Sequence, residues 1–188
     1  QEKEKLEAGQ PAEEEKVRQA IAWLTEFADQ GNDFAAYALG SLYLEGVLTE
    51  RDTSKAILYL TQAADQNHVY AQLRLGKLYL TEECQDITKA IHYLKLAANQ
   101  GNSFAAYRLG RLYLLGEQVQ KDVEQAVRYL LQSADAGNSY AQYAIGKLYL
   151  IGKEIPQDKE KAEIYLTQAA EQGLSLIHIS EPTRPISI

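Results

Sequence analysis

The sequence predicts an all-α protein built as a stack of antiparallel helix pairs, and three observations predict it. First, Gly40-Ser-Leu-Tyr-Leu44, Gly76-Lys-Leu-Tyr-Leu80, Gly110-Arg-Leu-Tyr-Leu114 and Gly146-Lys-Leu-Tyr-Leu150 stand 36, 34 and 36 residues apart. Second, another phrase recurs in step: Ala56-Ile57 to Ala63-Ala64, Ala90-Ile91 to Ala97-Ala98, Ala126-Val127 to Ser133-Ala134, and Ala162 to Ala169-Ala170, with an earlier copy at Ala20-Ile21-Ala22-Trp23-Leu24. Third, the punctuation of strands is missing: the 12 glycines recur at fixed repeat positions and only 4 prolines occur. Self-similarity at this period marks units that bury their apolar faces by stacking on neighbours.

Taken in order, residues 1–11 read as a charged lead-in, with Leu6 to Gly9 a candidate end of a preceding helix. Pro11 followed by Glu13, Glu14 and Glu15 reads as a helix start, because proline suits the first position and acids suit the positive end of the dipole. A helix over about 12–30 follows as a half-repeat covering the inner stack. Repeats are then expected over 31–66, 67–100, 101–136 and 137–173, each with two helices. In the first repeat, Ala35, Ala36, Leu39, Gly40, Leu42 and Tyr43 at helical spacing predict a helix from Asp33 to Glu45. After a loop, an aspartate (Asp52, Asp86, Asp122 or Asp158) precedes each second helix, where its oxygen can cap free backbone N–H groups. The second helix, from about Thr53 to Gln66, buries Ala56, Ile57, Tyr59, Leu60, Ala63 and Ala64. Gly31, Asn67, Gly101, Gly137 and Gly173 follow the second helices, at the place where a chain turns left-handed; asparagine is the common substitute for glycine there. Gly40, Gly76, Gly110 and Gly146 need another reason, since a mid-helix glycine costs ~1 kcal/mol relative to alanine. Close packing on the alanine pairs of the second helix is the expected one.

The pattern A-x-Y-x-L-G-x-L-Y, a loop with aspartate, then A-x-x-Y-L-x-x-A-A-x-Q-G resembles the Sel1-like repeat family, relatives of the tetratricopeptide repeats, over residues 12 to 173. The resemblance implies a right-handed α-solenoid whose first helices line a concave groove. Two departures stand out: the loop Thr81-Glu82-Glu83-Cys84-Gln85 is two residues short and lacks glycine, and Ser133 replaces an alanine. Residues 174–188 lose the period; Leu174-Ser-Leu-Ile-His-Ile-Ser-Glu-Pro-Thr-Arg184 resembles translated read-through of a sequencing-library adapter and is set aside from fold reasoning. With Gln1 first and no methionine, the chain is expected to be a piece of a longer protein.

A net charge of −7 argues against a general nucleic-acid or membrane-surface binder, and no apolar run approaches the ~18 residues of a membrane span. One cysteine permits no intramolecular disulfide, which favours a reducing compartment or simply a fold with no need of staples; the cytoplasm is the expected location, with a periplasmic or secreted one as the alternative because bacterial relatives of the resembled family are also exported. Chemistry finds little support, and neither catalytic residues, a metal nor any other cofactor is expected. His68, His92 and His178 share no ligand spacing. His92 occupies a slot held elsewhere by Leu58 and Arg128, an ordinary solvated position, and His68 reads as a loop residue. Glu82, Glu83 and Asp86 disfavour a thiolate at Cys84. No phosphate loop, Rossmann glycine pattern or G-x-S-x-G occurs. Cysteine-rich members of the resembled family have been associated with enzymatic activity, but this chain lacks their cysteines.

Tyr43, Tyr79, Tyr113 and Tyr149 share one slot, and Tyr59, Tyr93, Tyr129 and Tyr165 another. Repetition without variation points to stacking, so these are core rings with a polar tip. Slots that vary are more informative. Counting i, i+4 and i+7 along the first helices gives Phe34, Ala38 and Ser41; Tyr70, Arg74 and Lys77; Phe104, Arg108 and Arg111; and Tyr140, Ala144 and Lys147. Of the eight positions after the aromatics, five are basic and none acidic, in a chain with 26 acids and 19 bases. An aromatic rim beside a basic strip follows if the first helices line the groove; a merely solvated face is the alternative. The expected function is therefore a non-enzymatic scaffold that takes a partner protein or peptide, an acidic one by this charge pattern, with nucleic acid disfavoured. The resemblance also leaves a second class open, the accessory repeat region of a larger bacterial enzyme such as a plasmid-mobilisation relaxase-like protein.

Overall fold

The computed structural model describes residues 2–173, with side chains from Glu14 onward; the expectation about the tail over 174–188 lies outside the described residues. The chain divides into two compact units, Gln1–Gln85 and Asp86–Ile188. Among the described residues every regular element is helical. Unit 1 holds α1 (Glu2–Asp29), α2 (Asp33–Glu45), α3 (Thr53–Asp65), α4 (Val69–Leu78) and a 3₁₀ turn (Glu82–Cys84). Unit 2 holds α5 (Ile87–Asn99), α6 (Ser103–Leu115), α7 (Val123–Asp135), α8 (Ser139–Ile151) and α9 (Lys159–Glu171). The result is an α-solenoid of paired helices, with α2 and α3, α6 and α7, and α8 and α9 packed as pairs.

The caps explain where the helices begin. Asp52, Asp86, Asp122 and Asp158 have extended backbones and accept from the N–H three residues on, at 2.9, 3.0, 2.9 and 3.0 Å. Those bonds hold the carboxyls of Asp86, Asp122 and Asp158 below the usual aspartate range, since a backbone N–H favours the charged form. Helix ends follow the expected turn as well: Gly31, Gly101, Gly137 and Gly173 take φ of 88°, 86°, 84° and 84°, and Asn67 takes 64°.

The interior glycines meet a different partner from the one expected. A Cβ on Gly110 would lie 2.7 Å from Leu130 Cγ and 3.1 Å from its backbone nitrogen, and one on Gly40 would lie 2.7 Å from Leu60 Cγ. The notch receives the single leucine of the second helix, not its alanine pair; Leu60 and Leu130 are both fully buried. The tyrosine slots do stack, Tyr43 on Tyr59 with ring centroids 6.0 Å apart, Tyr113 on Tyr129 at 6.1 Å and Tyr149 on Tyr165 at 6.4 Å. Ser133 is buried in its alanine slot, where its hydroxyl donates to the Ser103 carbonyl at 2.7 Å.

Two boundaries differ from the sequence reading. The helix expected to open at Pro11 begins at Glu2 and runs through the proline. A proline removes one backbone donor and strains one turn, and the surrounding Glu, Lys, Gln and Ala are good helix formers. In the short loop, α4 ends at Leu78 and the chain descends through the 3₁₀ turn instead of a glycine. Glu83 of that turn accepts from Arg51 Nη2 and from Thr53 Oγ1, the latter at 2.6 Å, which fixes the loop to the start of α3. Those two bonds also keep the Glu83 carboxyl below its ordinary range.

Candidate functional site

The variable slots of the first helices stay at the surface because the pairing face is used up by glycine, alanine and leucine. In unit 1, Phe34 and Tyr70 are 71% and 60% exposed. Two further rings join them. Tyr37, one turn along α2, stacks on His68 with centroids 4.5 Å apart and lies 6.4 Å from Tyr70, while Phe34 meets His68 edge-on at 5.1 Å. His68 is buried and is not a free loop residue: its Nδ1 accepts from the Ala71 N–H at 3.2 Å and caps α4. Asn32, Asn102 and Asn138 fill the same place before α2, α6 and α8, accepting at 2.8, 2.9 and 3.0 Å. The histidine thus does an asparagine's capping work and adds a ring to the aromatic surface.

Charge in unit 1 is less open than the slot count suggested. Arg74 Nη2 donates to Glu45 Oε1 at 2.7 Å, so its charge is largely spent within the unit. Lys77 is exposed, whereas Ala38 and Ser41 are half-buried and uncharged.

Unit 2 presents the same slots with a different balance. Phe104 and Tyr140 are 57% and 42% exposed, and Tyr107 lies 6.0 Å from Tyr140, tilted against it. Arg111 sits over the Tyr107 ring at 5.9 Å and Lys147 over the Tyr143 ring at 6.0 Å, within cation–π reach. Desolvation by the surrounding protein and then the like charge of Arg111 hold the Arg108 guanidinium below the ordinary arginine range, although it remains a cation at neutral pH. Among the described residues no carboxylate stands within ion-pair distance of Arg108, Arg111 or Lys147. Ala144 is half-buried and packs against the core of Leu130, Ala134, Ala141 and Ile145.

Sequence reasoning therefore gathered two sets: Phe34, Tyr70, Arg74 and Lys77 in one unit, and Phe104, Arg108, Arg111, Tyr140 and Lys147 in the other. It missed Tyr37, Tyr107, Tyr143 and His68. The first three sit at i+3 from the leading aromatic, a helical spacing readable in the sequence. Among the described residues no cluster of His, Cys, Asp and Glu is arranged to hold a metal. Burial and then Glu83 push the Cys84 thiol up, away from a reactive thiolate. No helix among the described residues is long and apolar enough to cross a membrane.

The Sel1 repeat pattern matches residues 7–32, 33–68, 69–102, 103–138 and 139–174. The chain belongs to the Sel1-repeat family. Solved structures agree with that assignment. A Sel1-repeat protein from Oxalobacter formigenes is 33% identical with a TM-score of 0.75, over 84% of this chain and 65% of that one. A protective antigen of uropathogenic Escherichia coli with the same fold is 31% identical with a TM-score of 0.74, over 81% of this chain and 33% of that one. This Sel1-repeat chain thus spans about two thirds of the first relative and one third of the second. Cysteine-rich protein B of Helicobacter pylori, 23% identical with a TM-score of 0.53 over 68% of this chain and 93% of that one, shares the fold. No curated protein gives a significant match. Sel1-repeat proteins are commonly protein–protein interaction scaffolds and generally non-enzymatic.

Proposed function

We propose that this protein is a non-enzymatic scaffold that holds an acidic segment of a partner protein against the first-helix surfaces of unit 2, those of α6 and α8. The observation that carries the reading is that Arg108 and Arg111 lie near one another on α6, Arg111 over the Tyr107 ring that meets Tyr140, and Lys147 lies over Tyr143 on α8, with no carboxylate of the described residues to neutralise the three cations. Guanidinium groups take carboxylates through forked, charge-assisted hydrogen bonds, and flat rings anchor apolar side chains between them. In a protein of net charge −7, an unneutralised basic strip also steers an acidic segment to one place.

The test is a titration with fluorescently labelled peptides that alternate Asp or Glu with Phe or Leu, beside a charge-reversed panel. The Arg108→Glu, Arg111→Glu double variant is expected to weaken the acidic peptides by at least about tenfold, or ~1.4 kcal/mol, with helicity unchanged by circular dichroism. Lys147→Glu alone should cost less, and adding it to the pair should abolish binding. Acidic-peptide affinity that survives the triple change, or that ignores salt, overturns the proposal.

A further inference from the structure

The outward slots of α6 continue past its two arginines. At i, i+4, i+7 and i+11 stand Phe104, Arg108, Arg111 and Leu115, which fall within one narrow stripe along the helix. Leu115 closes the stripe and is 49% exposed, although α8 lies alongside, with Tyr140 against Tyr107. On α8 Tyr140 and Lys147 repeat the first and third places. The order along α6 is therefore ring, cation, cation, aliphatic side chain. Unit 1 lacks it. There α2 ends the stripe in Glu45, and that carboxylate accepts from Arg74 at 2.7 Å. The corresponding slots of unit 2, each 70 residues later, are Leu115 and Ala144. An apolar ledge thus replaces the ion pair, and no carboxylate of the described residues pairs with the cations beside it.

We infer that unit 2 takes its acidic segment as an amphipathic α-helix with apolar side chains at k and k+11 and carboxylates at k+4 and k+7. This rests on the reading of α6 and α8 as a site for an acidic segment, and adds the backbone and register of the occupant. A helix laid along α6 rises at the same rate, so its side chains stay in step over the roughly 16 Å from Phe104 to Leu115. An extended chain falls out of step. It advances about 3.3 Å per residue and points successive side chains to opposite sides, whereas Arg108 and Arg111 stand about 4.5 Å apart along one side. The spacing is also its own mirror image: k, k+4, k+7 and k+11 read the same from either end, so parallel and antiparallel partners both fit. Three cations facing two carboxylates set the middle of the register. The apolar ends close over Phe104 and Leu115 and keep water from those pairs, which strengthens them.

The full chain is titrated with end-capped, labelled peptides of an alanine–glutamine host that carry Leu at k and k+11 and Glu at k+4 and k+7. A control of the same composition has its glutamates at k+2 and k+9, on the opposite face. The patterned peptide should bind at least about tenfold tighter than the control and than peptides that alternate acidic with apolar residues. Its backbone carbon shifts should move to helical values on binding. Leu115→Ala should weaken the patterned peptide by about fivefold and leave the control unchanged, with the protein's own helicity intact by circular dichroism. Equal binding of patterned and control peptides, or no response to Leu115→Ala, overturns the helical register. Tighter binding of the alternating peptides overturns the register while the acidic-segment reading stands. Failure of every acidic peptide at millimolar concentration overturns both.

Discussion

Helices α2 and α4 in unit 1 and helices α6 and α8 in unit 2 set their rings on the same repeat slots, yet the two surfaces differ in what surrounds those rings. In unit 1 Glu45 engages Arg74, and His68 packs among Phe34, Tyr37 and Tyr70. In unit 2 no carboxylate of the described residues pairs with Arg108, Arg111 or Lys147, and Arg111 lies over Tyr107 and Lys147 over Tyr143. The pairing interior beneath is nearly identical, Gly40 on Leu60 in one and Gly110 on Leu130 in the other. A repeat of this kind separates its duties by slot: small residues and leucine set the spacing of the helices, and the outward slots of the first helix are released to vary.

The largest effects should fall on the shared interior and be equal in the two units. Leu60→Ala and Leu130→Ala each remove a fully buried side chain, and each should lower unfolding free energy by roughly 2–5 kcal/mol in urea titrations. A marked inequality would break the equivalence of the two interiors. A smaller effect should separate the units at their caps. Asn102→Ala removes one cap bond and should cost about 0.5–2 kcal/mol. His68→Ala removes the cap and the ring that Tyr37 stacks on, and should cost more, whereas His68→Asn should restore the cap alone. Equal losses for the two alanine variants would show that the stacking in unit 1 adds nothing.

The smallest effect is acid sensitivity in unit 2. The carboxyls of Asp86, Asp122 and Asp158 are depressed chiefly by the backbone N–H groups they cap. Their contribution to stability is therefore complete above the unfolded aspartate pKa near ~4 and disappears as pH falls through the lower folded values. The melting temperature should drop below about pH 4, and Asp122→Asn, which keeps the capping oxygen, should flatten that fall. An unchanged slope in that variant would remove the carboxylate from the account.

Much of the fold is legible in the sequence because every unit repeats its own solution. The left-handed turns, the aspartate caps and the paired tyrosines each follow from one local rule applied at several places. What escapes the sequence depends on partners distant in the chain. A glycine states that space is short but not which side chain claims it, so Leu60 and Leu130 replace the expected alanine pair. The spacing of basic slots is visible, but Glu45 reaching across 29 residues to Arg74 is not. His68 looks like a loop residue because a histidine rarely takes an asparagine's capping place; only the bond to Ala71 and the stack on Tyr37 assign its role.

Four glutamines carry a consequence for how such arrays change length over generations. Gln62 and Gln132 donate to the carbonyls of Ala28 and Ala98, each 34 residues back, and Gln72 and Gln142 donate to those of Ala64 and Ala134, each eight back. All four acceptors are last-turn carbonyls, each of which also receives the N–H of the left-handed residue that ends its helix, Gly31, Asn67, Gly101 or Gly137. A one-residue insertion or deletion inside a helix would swing the amide off its target, and for the buried Gln72 and Gln142 it would take the amide from the carbonyl it reaches. A change of length is best tolerated in the connector between the two helices of a repeat, where the missing two residues of the 81–85 segment are found.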